Sequence, residues 1–515
     1  MKRCVWHTYD IITIYGDDWY PFFFSHHIFL SQFITQANMP ELALEDCTSI
    51  LDLEVNHTKA RTRKLRILET LKRWNDCLVE ICAVQLLFMQ ANRTNIRMGL
   101  PTPPPPIPQS KMEDVLLHVV PEQVEKYQSV LNTTNDNQQR PLPSNYTIQQ
   151  LLKSYTGYNK WMAAAAKDGS VANMTVPDAA TDDASAAERA LALYKRGRRH
   201  VYDGNYAPAI ADLEGAYQLL ETYKGAGDLM PEDSHARVCE WAGMARHWQY
   251  QLEKAVDCYE KAATLEPDNP LILVKQAGVS MDGSLQTQAM QLFEAALKLD
   301  SDCADALLHR SNLYMIQANP DLAKKDLERC VKLHPNHVMA RLRLASIHAA
   351  TQDPAMARLQ LDAAERVEPN SSEVQSYRGE LHFTQGEMED ARRQFEKAMK
   401  LEPNNPTPYV NAAMAILNTP PAPGQMMDAK AAIGLLEKAL EVDPQFMAAY
   451  VQLGQLKLGT ATDLVSAREV IKLYDRALEN CRTTEDLKEL CSMRVLAVAQ
   501  VEAATMLKME TFNLQ

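Results

Sequence analysis

Glycine is scarce in this chain, 18 of 515 residues, and no segment shows a persuasive alternation of apolar and polar residues. A sheet-based fold with its tight turns is therefore not expected, and the many Ala, Leu, Glu, Lys and Gln positions favour helix. Basic charge is short: 53 Lys and Arg face 66 Asp and Glu, a net −13 that argues against nucleic acid or anionic lipid as main partner. The ten cysteines stand singly with no CxxC, which points to buried reduced thiols rather than disulfides or a metal site. Long apolar runs are missing too. The stretch Phe22–Leu30 contains His26 and His27, and a spanning helix needs roughly 20 mostly apolar residues. Phosphate-binding glycine loops, G-x-S-x-G and H-E-x-x-H are all lacking, so no catalytic constellation, cofactor or metal is expected.

What is present is a repeat. Between residues 259 and 403 an acidic-Pro step or its variant recurs every 34 residues: Glu266-Pro267, Asp300-Ser301, His334-Pro335, Glu368-Pro369, Glu402-Pro403. Small residues precede each step (Ala262, Ala296, Cys330, Ala364, Ala398), bulky ones come before those (Tyr259, Phe293, Leu327, Leu361, Phe395), and a second alanine series leads (Ala255 to Ala391). This is the tetratricopeptide (TPR) signature, a helix–turn–helix unit in which small residues let two helices approach and Pro stops the second. The predicted fold is an all-α TPR helical-repeat solenoid in two arrays joined by a Pro-rich linker. Such a scaffold binds peptides and is seldom an enzyme.

The chain divides accordingly. Residues 1–23 are an atypical aromatic-rich N-terminus, and residues 24–94 hold two degenerate repeats marked by Ala43, Cys47 and Ile50, then Cys77 and Ile81. Residues 95–145 are a Pro-rich linker around Pro101–Pro108, with one short helix near 123–131. Residues 146–186 supply a bridging helix and a small acidic insert read as disordered. Residues 187–509 form eight repeats, the seventh interrupted by Thr419–Gly424, and a closing helix at 485–509 that hides the last apolar edge.

One charge cluster runs against the net acidity: Lys59, Arg61, Arg63, Lys64, Arg66, Lys72 and Arg73, opposed only by Glu69. Lys59, Arg63 and Arg66 fall at i, i+4 and i+7 and share a helix face. By spacing alone that face serves as solvated surface or as a grip for an anionic peptide end, for which forked Arg and flexible Lys suit a carboxylate. Arg310, Asn312, Arg341 and Arg378 are groove polars by position only.

The segment Leu42–Thr48 followed by Lys59-Ala-Arg-Thr-Arg63 resembles carboxylate-clamp TPR domains. There a Lys and an Arg four residues later hold the C-terminal Glu-Glu-Val-Asp of cytosolic heat-shock chaperones, and Lys59 and Arg63 match that pair. The order of elements, with the Tyr146–Tyr155 helix and a tail at Ile471–Asn480, is similar over about residues 30–510 to the large TPR receptors of the mitochondrial outer-membrane translocase. The resemblance implies a non-enzymatic preprotein receptor facing the cytosol. Its partners would be chaperone tails, mitochondrial preproteins and other translocase subunits. Two departures stand out. The family's membrane anchor and complete first repeat have no counterpart, and the expected clamp Asn falls at Phe29. The composition shift coincides with the start of the resemblance, so the N-terminus is expected to be incomplete or mis-joined; as given, the chain would be cytosolic. The alternative is a soluble co-chaperone, adaptor or scaffold subunit.

Overall fold

The computed structural model describes residues 39–97, 100–134, 141–231, 233–420 and 428–509. The N-terminal aromatic segment, Phe29 and most of the 419–424 insertion lie outside the described residues. Those described form helices joined by turns, with no strand among them. Along the chain come α1 (Pro40–Leu53), α2 (Thr58–Thr70), α3 (Trp74–Arg97) and α4 (Gln109–Thr134). Two short helices follow, α5 (Asn145–Lys153) and α6 (Tyr158–Lys167). Paired helices then repeat: α7 (Asp183–Tyr202) with α8 (Tyr206–Thr222), α9 (Ser234–Trp248) with α10 (Leu252–Leu265), and α11 (Pro270–Asp282) with α12 (Gln286–Leu299). Next are α13 (Ala304–Ile316) with α14 (Pro320–Leu333), α15 (Val338–Ala350) with α16 (Pro354–Val367), and α17 (Ser372–Thr384) with α18 (Met388–Leu401). The series ends with α19 (Thr407–Asn418) and α20 (Ala429–Val442), α21 (Met447–Gly459) and α22 (Leu464–Glu479), then α23 (Thr484–Met506). This is the all-α TPR solenoid.

Each helix pair closes on one contact. The bulky series Tyr259, Phe293, Leu327, Leu361 and Phe395 is buried, at 1 % exposure or less. Sixteen residues earlier stands a third small series with the same period: Gly243, Ala277, Ser311, Ala345 and Gly379. Ala277 packs with Phe293 and Ala345 with Leu361, while a Cβ on Gly243 would meet the Tyr259 ring at 3.0 Å. Proline opens several helices at their first position, where no backbone donor is needed (Pro270, Pro320, Pro354).

Two compact units are present: residues 1–136 with 450–515, and residues 137–449. In the first, α2 packs on α1 and α3, and α23 lies against α22, α3 and α4. The helix expected at 485–509 is α23. It buries Leu490, Cys491, Val495, Ala499 and Val501 and exposes Glu485, Lys488, Glu489 and Glu502. The linker also differs from expectation. Residues 101–106 are exposed and lie outside any helix, but α4 runs through Pro121 and buries Met112, Val115, Val119 and Val124.

In the second unit the acidic insert is not left loose. Asp168 pairs with Arg198, Arg189 donates to the Pro177 carbonyl, and Tyr223 donates to the Ala180 carbonyl at 2.8 Å. Asp182 then caps α7 in a reciprocal box with Ser185, starting that helix at 183 rather than 187. All nine described cysteines are buried, and none of them is in a disulfide. Burial pushes thiols such as Cys82 and Cys330 up to about 12, leaving them inert.

Candidate functional site

Two faces carry the chemistry, one in each unit. On α2 the basic cluster splits. His57 caps the helix by accepting from the Ala60 amide at 3.1 Å, and Ala60, Leu65, Ile67 and Leu68 are buried. Arg61 goes inward with them and is fully buried. Its guanidinium donates twice to the Val55 carbonyl, at 2.9 and 2.6 Å, and once to Glu80 at 2.8 Å. Lys64 takes the other Glu80 oxygen at 2.8 Å. Glu80, on α3, is therefore held between two cations, which the sequence did not reveal because it lies a helix away. Glu69 pairs with Lys111 at 2.6 Å and Arg73 with Asp76 at 2.6 Å. The cluster is thus opposed by Glu80 and Asp76 as well as Glu69. Of the predicted trio, two side chains stay exposed. Lys59 and Arg66 are exposed with no ion-pair partner among the described residues, and Arg63 is half-buried between them.

The proposed groove arginines are committed elsewhere. Arg310 is bidentate to Asp326 at 2.7 Å, Arg341 is held by the Pro335 carbonyl and Gln360, and Arg378 bridges Asp362 and Glu365. These contacts staple helices within and between repeats.

The inner face of residues 137–449 is instead occupied by the chain itself. Ser144 caps α5 and donates to Asp443 at 2.6 Å. Lys153, at the other end of α5, reaches Glu402 at 3.2 Å and Glu373 at 3.7 Å. Thr156 gives both its amide and its hydroxyl to the buried Asp305, at 2.9 and 3.0 Å. Tyr155 tilts over His309 with centroids 5.1 Å apart, and the Lys275 ammonium sits 5.1 Å above the same ring. Trp161 stacks on Trp241 at 4.3 Å. Beside these rings a cavity of about 150 Å³ is lined by Leu152, Tyr155, Trp161, Trp241 and Met244. Its floor holds Glu240, paired with Arg237 and Lys275. Sequence reasoning missed this seat for a clear reason. Glu402 and Asp443 belong to the acidic helix-ending steps and read as stop signals, yet they also receive α5.

Around Lys153 the carboxylates outnumber the cation. Glu368 lies close enough to Glu373 and Lys153 to feel both, and burial with the Glu373 charge raises its pKa. Glu380 is raised chiefly by burial, and donation from Asn411 at 3.3 Å only partly offsets this. Possible metal ligands come together among the described residues at His382, Glu387 and Asp390. There His382 bonds Glu387 at 2.6 Å, and Asp390 is paired with Arg393.

Repeated helix pairs define a TPR scaffold, a class that typically acts as a non-enzymatic adaptor. A tetratricopeptide repeat-like domain model matches residues 236–418. Among solved structures, yeast Tom70 is similar over 96 % of this chain and 90 % of its own, with 19 % identity and a TM-score of 0.51. A tetratricopeptide repeat protein from Parabacteroides merdae covers 53 % of this chain and 98 % of its own at 18 % identity, with a TM-score of 0.41. No curated protein matches the sequence. The Tom70 likeness is one of fold. No described helix is long and apolar enough to cross a membrane.

Proposed function

We propose that the chain is a mitochondrial preprotein import receptor. It docks chaperone-bound precursors through α2 and receives targeting segments on the inner face of its repeats. The observation that carries this reading is the sorting of charge on α2. Arg61 and Lys64 are consumed by Glu80, whereas Lys59 and Arg66 stay exposed, with Arg63 half-buried between them. A folded helix that neutralises some cations and keeps others exposed along one face suits a terminal carboxylate with its flanking acids. The fold shared with yeast Tom70 supports the same reading, as does the match of Lys59 and Arg63 to the clamp pair.

Truncating one partner of a desolvated charge pair costs about 2–5 kcal/mol of binding. A fluorescent peptide ending in Glu-Glu-Val-Asp is expected to bind the Lys59→Ala/Arg63→Ala double variant at least tenfold more weakly than the unaltered chain. Equal titration curves would remove the clamp assignment. Tail binding without any binding of precursor segments would shift the reading to a soluble co-chaperone or adaptor.

A further inference from the structure

The inner face of residues 137–449 already holds a helix, and that helix is seated as a ligand would be. Of its nine residues only Ile148 and Leu152 are buried. Leu151 and Tyr155 pack partly buried on the same core, and the polar part of the seat reaches several repeats. It consists of a hydroxyl cap on Asp443, a lysine between Glu402 and Glu373, a tyrosine against His309, and a threonine on Asp305. Lys153 keeps 33 % of its side chain exposed, so water already reaches the pairing at the C-terminal end. Three carboxyl groups, Glu368, Glu373 and Glu402, meet there around one ammonium. A ligand bearing more than one cation would satisfy that site better than α5 does.

We propose that this face is a helix-binding surface carrying its own occupant: α5, with the turn at 154–157, is displaceable. The external partner would be a short amphipathic helix of the same pattern, with two apolar residues about one turn apart and basic side chains at its C-terminal end. The proposal rests on the reading that the array captures segments of partner proteins, and it adds that capture competes with self-occupancy.

The test uses the full chain and, as probe, a labelled synthetic peptide of residues 143–161. Lys153→Glu places a carboxylate among the acids that hold α5. Hydrogen exchange across 145–153 is then expected to speed at least tenfold while α13 and α17 keep their protection. The probe should bind this variant at least tenfold more tightly than the unaltered chain, and adding Glu402→Lys should reverse both effects. If Lys153→Glu does not fold, Thr156→Val loosens the same seat through a single hydrogen bond and is read identically. The proposal is overturned if α5 and α13 lose protection together, which would make α5 a structural strut. It is equally overturned if the probe binds variant and unaltered chain alike. The probe is the chain's own segment, so failure of chaperone-tail binding at α2 would not bear on this outcome.

Discussion

Adjacent cations on α2 have opposite fates. Arg61 is fully buried, and its guanidinium holds both the Glu80 carboxylate and the end of the α1–α2 turn at Val55. Lys59, two residues earlier, is exposed. Removing one partner of a buried pair leaves the other charge desolvated, so Arg61→Ala is expected to cost about 3 kcal/mol in stability. Lys59→Ala, at an exposed position, should stay within about 0.5 kcal/mol. Urea unfolding of the two variants checks the contrast, and equal midpoints would show Arg61 to be dispensable to packing. For the same reason an Arg61 variant is a poor probe of ligand binding. A loss of peptide affinity there would report a damaged helix rather than a missing contact.

At the scale of the element, the repeat works through one small residue facing one bulky one. On Gly379 an added methyl would fall inside the Phe395 ring, which is 1 % exposed. On Gly434 of α20, which is exposed, nothing lies within 4 Å of the same methyl. Gly379→Ala is therefore expected to destabilise by about 1–3 kcal/mol through overpacking. Gly434→Ala should stabilise by about 0.5–1 kcal/mol, because Ala loses less backbone freedom than Gly on entering a helix. Thermal or urea midpoints moving in opposite directions would bear this out, and movement in the same direction would not. The α4 helix shows the limit of reading elements locally. Its Met112, Val115 and Val119 carry a helical period, but the preceding prolines and Pro121 mark the stretch as linker. Burial against α3 and α23 outweighs the breaker.

For the whole molecule, acid is the condition that tests the packing. His235, His309, His337 and His348 all have pKa values below their ordinary 6.5, with burial the largest cause in each. His337 also accepts from the Ala340 amide at 3.2 Å, which requires a neutral ring. A lowered folded-state value means that the unfolded chain takes up protons first. The contribution of these residues to stability is present above about pH 6.5 and is lost as pH falls from there through the lower folded values. The melting temperature is expected to drop between pH 7.5 and 5.5, whereas a flat profile would show these rings to be free to charge in place.

The sequence by itself determined the repeat: its period, the run of helix pairs between about residues 187 and 481, and the residues whose size lets those pairs close. Period and size are local properties, written every 34 residues and enforced by neighbouring turns. It also marked Lys59, Arg63 and Arg66 as a helix face, because i, i+4 and i+7 need only a helix to become neighbours. Tertiary structure alone decided which cations stay outside, since Glu80 approaches Arg61 only when α3 folds back. It alone brought Ser144 to Asp443 and Lys153 to Glu402, contacts 299 and 249 residues apart in the chain. No periodicity encodes such contacts; they join residues that only the folded chain brings together.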